Sequence, residues 1–265
     1  MRKISPSAAS RTGTLRSRTA AKAAGNEVLR RLLRAAPELQ AQLELVELPA
    51  GRELITPGQQ LTRVYFPLSG VAAVRVALDD GSRGEVATVG REGVVSAATW
   101  LGLKRSDEQV LQQIPGHAYR LPARDVVHAM EHHRAVRTLL NRYTAYALRA
   151  AHQNLLCNGV HSLAQRTSRW LLQTADRAGT GQLFVTHSQL AAALGVRRQS
   201  VSEVLESLNR SELIEAGYRR ISVTRHSALQ SEACECYARM RRWYREVLGS
   251  HPLWWGREVR SSAQR

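Results

Sequence analysis

The 265-residue chain is long for one domain and sufficient for two, and its 43% hydrophobic content supports packed cores. Its 38 Lys and Arg against 22 Asp and Glu leave a formal charge of +16, which points to a polyanionic partner, nucleic acid or an anionic membrane surface. No apolar run reaches the roughly 18 residues of a membrane span, and no apolar segment follows the basic N-terminus as in a secretory signal, so a cytoplasmic protein is expected.

In chain order, residues 1–25 are rich in Arg, Lys, Ser, Thr and Ala without periodicity, and read as a disordered basic tail. Asn26 then predicts the N-cap of a short helix carrying Val28, Leu29, Leu32 and Leu33, which Pro37 ends. From Leu43 to about Arg120 short apolar runs alternate with turn residues. The runs are Leu43–Leu48, Arg63–Phe66, Val71–Leu78, Glu85–Val89, Gln109–Ile114 and Ala118–Leu121. The breaks include Pro49-Ala50-Gly51, Pro57-Gly58, Asp79-Asp80-Gly81 and Pro115-Gly116. This pattern predicts an antiparallel, jelly-roll-like β-roll, so residues 26–133 are expected to form a sensor-type domain in an α+β chain.

Helices follow. After Pro122 a short helix is expected to about His133, and a longer one over residues 134–158. In the longer helix Val136, Leu140, Tyr143, Ala147, Ala150, Asn154 and Cys157 alternate at spacings of four and three, a heptad seam that predicts pairing with a second copy. Leu139, Tyr146 and Leu155 lie beside it and are available to pack on the roll. Asn158-Gly159-Val160-His161 is expected to break the helix, and Ser162 with Gln165 reads as a capping box opening the next. A hinge there would begin a third unit at residues 159–226.

The most informative stretch runs from Thr186 to Leu205. Thr186 and Gln189 form a second capping box. Ala191 is small where helices must cross, and Gly195 permits the positive φ of a sharp turn. Leu190, Leu194, Val201, Val204, Leu205 and Leu208 supply a shared core. This is a helix-turn-helix pattern. Its second helix would present Arg197, Arg198, Gln199, Ser200, Ser202 and Glu203 to a major groove, with Ser188 and Gln189 at the start of the first helix nearby. Arg can pair bidentately with guanine and Gln with adenine. Leu213-Ile214-Glu215 and Arg220-Ile221-Ser222-Val223 predict a hairpin wing with Arg219 and Arg220 at its tip.

Residues 227–265 are expected to add a helical extension, with Leu229, Ala233, Cys236, Met240, Trp243 and Val247 as an apolar seam against the DNA-binding unit. Cys157, Cys234 and Cys236 are odd in number, with no Cys-x-x-Cys pair and no His at recognised ligand spacing. They read as structural thiols, with no metal site and no disulfide framework.

The order of roll, long helix, hinge and winged helix resembles the Crp/Fnr family of bacterial transcription regulators. The resemblance rests on the run from Cys157 to Arg166, the Ala193-Leu194-Gly195-Val196 turn and the wing, and extends over roughly Leu43 to Val223. It implies a homodimeric regulator of palindromic DNA with no enzymatic activity, and RNA polymerase as a candidate partner. Gly90-Arg91-Glu92-Gly93-Val94-Val95 is similar to the loop that opens the family's ligand cassette. Where cyclic-AMP-binding members carry a ribose-binding glutamate this chain has Val94, and Arg105-Ser106 stands one residue out of frame for the phosphate. Gly93, Val94, Arg105 and Ser106 are therefore an effector-site expectation with cyclic AMP disfavoured. An iron–sulfur cluster is disfavoured because no cysteine precedes Cys157, and haem because His117, His128, His132 and His133 offer no convincing axial ligand. Three other readings stand: a non-specific basic nucleic-acid or membrane-surface binder, a regulatory subunit with a nucleotide-sensing roll, and an enzyme carrying such a roll. The last is disfavoured because the sequence shows no phosphate-cradling loop, nucleophile elbow or metal-ligand cluster.

Overall fold

A computed structural model describes residues 25–249, so the basic tail before Gly25 and the Leu253–Gly256 segment lie outside the described residues. The first helix, α1 (Glu27–Ala35), is capped by Asn26, whose Oδ1 accepts from Leu29 N at 3.0 Å. The same amide donates to Pro67 O and Gly93 O, so the cap also ties the helix to the roll.

The roll is built from seven strands, β1 (Glu44–Leu48), β2 (Glu53–Ile55), β3 (Arg63–Pro67), β4 (Val71–Ala77), β5 (Arg83–Val89), β6 (Gln109–Ile114) and β7 (Gly116–Pro122). Two antiparallel sheets, ordered β1-β7-β3 and β2-β6-β4-β5, enclose a core that includes Leu48, Ile55, Val74 and Val110. The expected strands are present. The sequence reading missed β2, whose three residues are too few to show alternation. The roll closes tightly where the turns before β4 and β7 cross: a Cβ on Gly116 would stand 2.2 Å from Ser69 O, so only glycine fits.

Helix α2 (Ala123–His132) leads into α3 (Arg134–Val160), the spine of the chain. The boundary expected at Asn158 lies further on: Asn158 and Gly159 stay helical and His161 is the C-cap, donating to Cys157 O. One helical glycine costs about 1 kcal/mol, too little to stop a helix whose neighbouring turn buries Cys157.

The expected dimer seam is corrected by burial. Val136, Leu140, Tyr143 and Cys157 are 0–4% exposed within the single chain, and Ala150 is buried with them. Tyr143 even hydrogen-bonds the backbone of Val94 in the roll, donating to its carbonyl and accepting from its N–H. Asn154 is half-buried and bonded to Arg169, while Ala147 is exposed beside the seam. Leu139 and Tyr146 do pack on the roll core, but Leu155 does not. The opposite face carries exposed Leu148 and Leu155, and Leu156 and Val160 are also exposed near the helix end. The helix is apolar on two sides, and a heptad count cannot tell which stripe faces the chain's own roll.

Beyond the hinge come α4 (Leu163–Ala178), β8 (Gln182–Leu183), α5 (His187–Leu194), α6 (Arg198–Arg210), β9 (Ile214–Gly217) and β10 (Arg220–Val223). Their shared core includes Leu171, Leu190, Val201, Leu205 and Ile221. The unit docks on the roll through Arg177, whose Nε lies 2.9 Å from a Glu92 carboxylate oxygen with both side chains buried. Glu92 also accepts from Gly90 N, and Gly70 N reaches Ala178 O.

The extension is two helices, α7 (His226–Glu232) and α8 (Cys236–Leu248), not one, because Ala233–Glu235 turns the chain. Of the expected seam, Leu229, Cys236 and Met240 are buried and Trp243 and Val247 pack half-buried on the core, with Trp243 under the guanidinium groups of Arg149 and Arg239; Tyr237, Tyr244 and Leu248 widen it. Helix α8 packs along α3 and adds Met240, Tyr244 and Leu248 to the core under the roll, with Tyr244 Oη donating to Glu92 O. It therefore joins both halves of the chain instead of covering the DNA-reading unit alone.

Candidate nucleic-acid interface

Helices α5 and α6 are set by backbone chemistry legible in the sequence. Thr186 accepts from Gln189 N at 3.1 Å while Gln189 Oε1 accepts from Thr186 N at 2.8 Å, closing the capping box. Gly195 ends α5 with φ 65°, the left-handed conformation a side chain would strain. Arg197 then occupies the N-cap of α6 in an extended conformation, without a side-chain cap. The C-terminal end of α5 is held from α4, where the Arg166 guanidinium donates to Leu194 O.

The N-terminal turn of α6 faces solvent. Arg197, Arg198 and Gln199 are exposed, and Ser200 is half-buried. Such a turn combines unpaired backbone N–H groups with cationic side chains, the combination that attracts phosphate and lets side chains reach base edges. Two of the expected readers are already engaged. Ser202 Oγ lies 2.8 Å from His187 Nδ1 and donates to Arg198 O, so it locks α5 to α6. Gln189 Oε1 is taken by its cap. Gln199 Nε2 donates to Glu203 at 3.1 Å, which orients both side chains along one face, and Ser188 is exposed at the start of α5.

The wing is β9 and β10 in register Gly217↔Arg220, joined by the two-residue turn Tyr218-Arg219 and extended by β8 on the far side of β10. Arg219 adopts φ 55°. Asn209 Oδ1 accepts from Ala216 N, tying the wing to the end of α6. The tip therefore presents Arg219 and Arg220 beside Tyr218, which is 93% exposed. Sequence reasoning passed over Tyr218, although an aromatic residue at a two-residue hairpin turn has no core to enter.

The four residues expected at an effector site are each engaged within the chain. Val94 is buried, with both backbone polar groups bonded to Tyr143 Oη. Space beside Gly93 is closed, since a Cβ there would stand 2.6 Å from that same hydroxyl. Exposed Arg105 donates to Gly58 O at 2.6 Å, and Ser106 Oγ accepts from Glu108 N. Each group is satisfied locally.

Under the docked unit, burial raises the Asp176 carboxyl to about 6, the Tyr237 hydroxyl donating to it at 2.9 Å acting in the opposite sense. Burial likewise raises Glu85 to about 7. Both acids lie in or beside the contact between roll and helix-turn-helix.

The thiols also differ from expectation. Cys157, His161, Cys234 and Cys236 converge, with all four potential ligand atoms within 4.8 Å of one another. The Cys157–His161 spacing of four residues, one helical turn on α3, was the available signal, and attention to Cys-x-x-Cys spacing missed it.

Among known proteins, the sequence matches the Crp-like helix-turn-helix domain family over residues 165–232. It is 31% identical over 140 residues to the transcriptional regulator LdrP of Thermus thermophilus, an alignment covering 46% of this chain and 69% of that one. The structure is similar to FixK2 from Bradyrhizobium japonicum, with a TM-score of 0.61 at 19% identity over 72% of this chain and 98% of that one. It is also similar to a CRP-family transcriptional regulator from Thermus thermophilus, with a TM-score of 0.58 at 22% identity over 71% and 96% of the two chains. At these identities the structural likeness establishes the fold. No described helix is long and apolar enough to cross a membrane.

Proposed function

This chain belongs to the Crp/Fnr family of transcriptional regulators, and from that premise we propose that it is a homodimeric, sequence-specific DNA-binding regulator without catalytic activity. The observation that carries the reading is the exposed, cationic first turn of α6, with Arg197, Arg198 and Gln199, on the same unit as the exposed Tyr218-Arg219-Arg220 wing tip. Arg198 and Gln199 read base edges, while Arg219, Arg220 and Arg197 meet phosphates. Ser202 positions α6 against α5 and does not itself read sequence.

Dimerisation uses the exposed face of α3. Leu148 and Leu155 lie seven residues apart on one stripe, and Leu156 and Val160 continue the exposed apolar surface to one side of it at the helix end, all more than half exposed in the single chain. A two-fold axis along this face would set two recognition helices about 34 Å apart, one turn of DNA. RNA polymerase is the candidate protein partner of the assembled regulator.

Cyclic AMP is not its effector in this reading. The seat beside Gly93 and Val94 is filled by Tyr143, and Arg105 is directed to a backbone carbonyl. An effector of other chemistry, or control by abundance, is compatible with the same geometry, and neither an iron–sulfur cluster nor haem enters it.

The test is selection of bound genomic DNA with the full-length protein, followed by affinity measurements on the selected sequence and on random DNA across a salt series. A specific regulator prefers its site by about 10³-fold or more at physiological salt. Equal affinity for both DNAs would leave only a non-specific basic binder.

A further inference from the structure

The second cluster of chemistry in the chain lies at the hinge, away from the DNA-reading turn. Cys157 and His161 face the same side of the last turns of α3. Cys234 lies in the bend between α7 and α8, and Cys236 opens α8. All three cysteines are buried, and the His161 side chain is 13% exposed. Cys157 Sγ lies 3.5 Å from Cys234 Sγ, and Cys236 Sγ lies 3.6 Å from His161 Nδ1.

Those separations fit one ion of a particular kind. In a tetrahedral zinc site with Zn–S near 2.3 Å and Zn–N near 2.0 Å, neighbouring ligand atoms stand about 3.5–3.8 Å apart. Three thiolates and one imidazole favour zinc over the hard cations, which select oxygen. The surroundings are those of a ligating imidazole. Its other nitrogen, Nε2, pairs with the Glu235 carboxylate at 3.2 Å, the outer-sphere contact that fixes ring orientation when Nδ1 binds metal. Gln153 Nε2 donates to Cys236 Sγ at 2.9 Å. Three thiolates around a divalent cation leave one net negative charge. The buried guanidinium of Arg169, bonded to Asn154 one turn before Cys157, stands alongside to offset it.

We propose that Cys157, His161, Cys234 and Cys236 bind one zinc ion as a closed structural site. The ion fastens the end of the spine helix to the bend before α8, and α8 in turn packs on the core beneath the roll. The hinge between roll and helix-turn-helix is thereby cross-linked by metal, which fixes how the two halves sit. The site does not depend on whether the chain binds DNA, and metal content is read without it.

The test begins with full-length protein purified under reducing conditions and assayed for bound metal, then stripped and titrated with cobalt(II). About one zinc per chain is expected, and cobalt should give thiolate charge-transfer absorption with the intense visible bands of a tetrahedral site. Glu235→Gln retains all four ligands and should weaken zinc binding roughly tenfold, the lower end of the outer-sphere range. Cys157→Ser should abolish stoichiometric uptake, with circular dichroism to check that it folds. Because that variant disturbs a buried site, the cobalt spectrum of the unaltered chain decides independently. Reduced protein that takes up no zinc or cobalt would overturn the proposal. So would a Cys157–Cys234 disulfide whose reduction yields no metal uptake, or one equivalent of metal retained by folded Cys157→Ser.

Discussion

Leu140 and Leu155 are the same residue type on one helix, yet one is buried within the chain and the other is exposed. Leu140 is 0% exposed against the roll, whereas Leu155, about four turns further on and roughly 60° round the helix, is 76% exposed. Burying a leucine completely contributes about 1.5–3 kcal/mol. Scaled to the exposed fraction and doubled by symmetry, Leu155 supplies about 2–5 kcal/mol to the proposed dimer. Leu155→Ala should therefore weaken dimerisation roughly 40- to 2,000-fold, at 1.4 kcal/mol per decade, and leave the fold of each chain nearly untouched. Leu140→Ala should cost about 2–5 kcal/mol of folding stability through the cavity it leaves. At this chain size that lowers Tm by roughly 2–4 °C per kcal/mol. The dimer constant of the folded Leu140→Ala protein should be close to that of the parent. Sedimentation over a concentration series, with calorimetric melting of both variants, separates the two effects. If Leu140→Ala dissociated the dimer while Leu155→Ala left it intact, the assignment of faces would be wrong.

Other consequences concern the docking of the two halves. Asp176 has its carboxyl raised from 3.8 to about 6 by burial. Its protonated form is therefore the one the fold favours, so its contribution is complete below about pH 4 and is lost as pH rises through 6. Asp176→Asn keeps an acceptor for the Tyr237 hydroxyl, and the stability difference between variant and parent should shift in the variant's favour by up to about 3 kcal/mol from pH 4 to pH 8. A pH-independent difference in denaturant melts would contradict this. Gly90→Ala would place a Cβ 2.4 Å from Arg177 Cβ and 2.7 Å from its carbonyl oxygen. It should cost about 1–3 kcal/mol and speed hydrogen exchange at the contact between α4 and the loop after β5. Unchanged exchange there would mean that the two halves are not held together at this point.

The legible parts of the chain were those governed by local rules. Asn26, Ser162 and Thr186 each cap the helix expected of them, because a side-chain oxygen three residues before a free N–H is a short-range feature. Gly195 and the wing were readable for the same reason. What failed depended on partners distant in sequence. Ser202 carries every mark of a groove-facing residue, and only the fold reveals that His187 engages it. The seam through Val136 and Tyr143 has correct heptad spacing, but spacing is blind to whether the opposing surface is a second chain or Val94 of the same one. Cys157 stands 77 residues from Cys234, and no local pattern relates them. Tyr244 reaches Glu92 across 152 residues, so the sequence could not show that the last helix returns to the roll.

The central claim, that α6 reads DNA sequence through its first turn, is tested most directly by replacing Arg198 and Arg220 separately. Both residues are exposed arginines, one on the recognition helix and one at the wing. Each variant is to be titrated on the selected palindrome, on single-position variants of it and on random DNA across a salt series. Arg198→Ala should lose about 1–3 kcal/mol on the palindrome and flatten preference at one symmetric pair of positions. Arg220→Ala should weaken all sequences alike and lower the salt slope by about one for each wing. If Arg198→Ala instead weakened palindrome and random DNA equally and left every base preference intact, α6 would not be the reading helix.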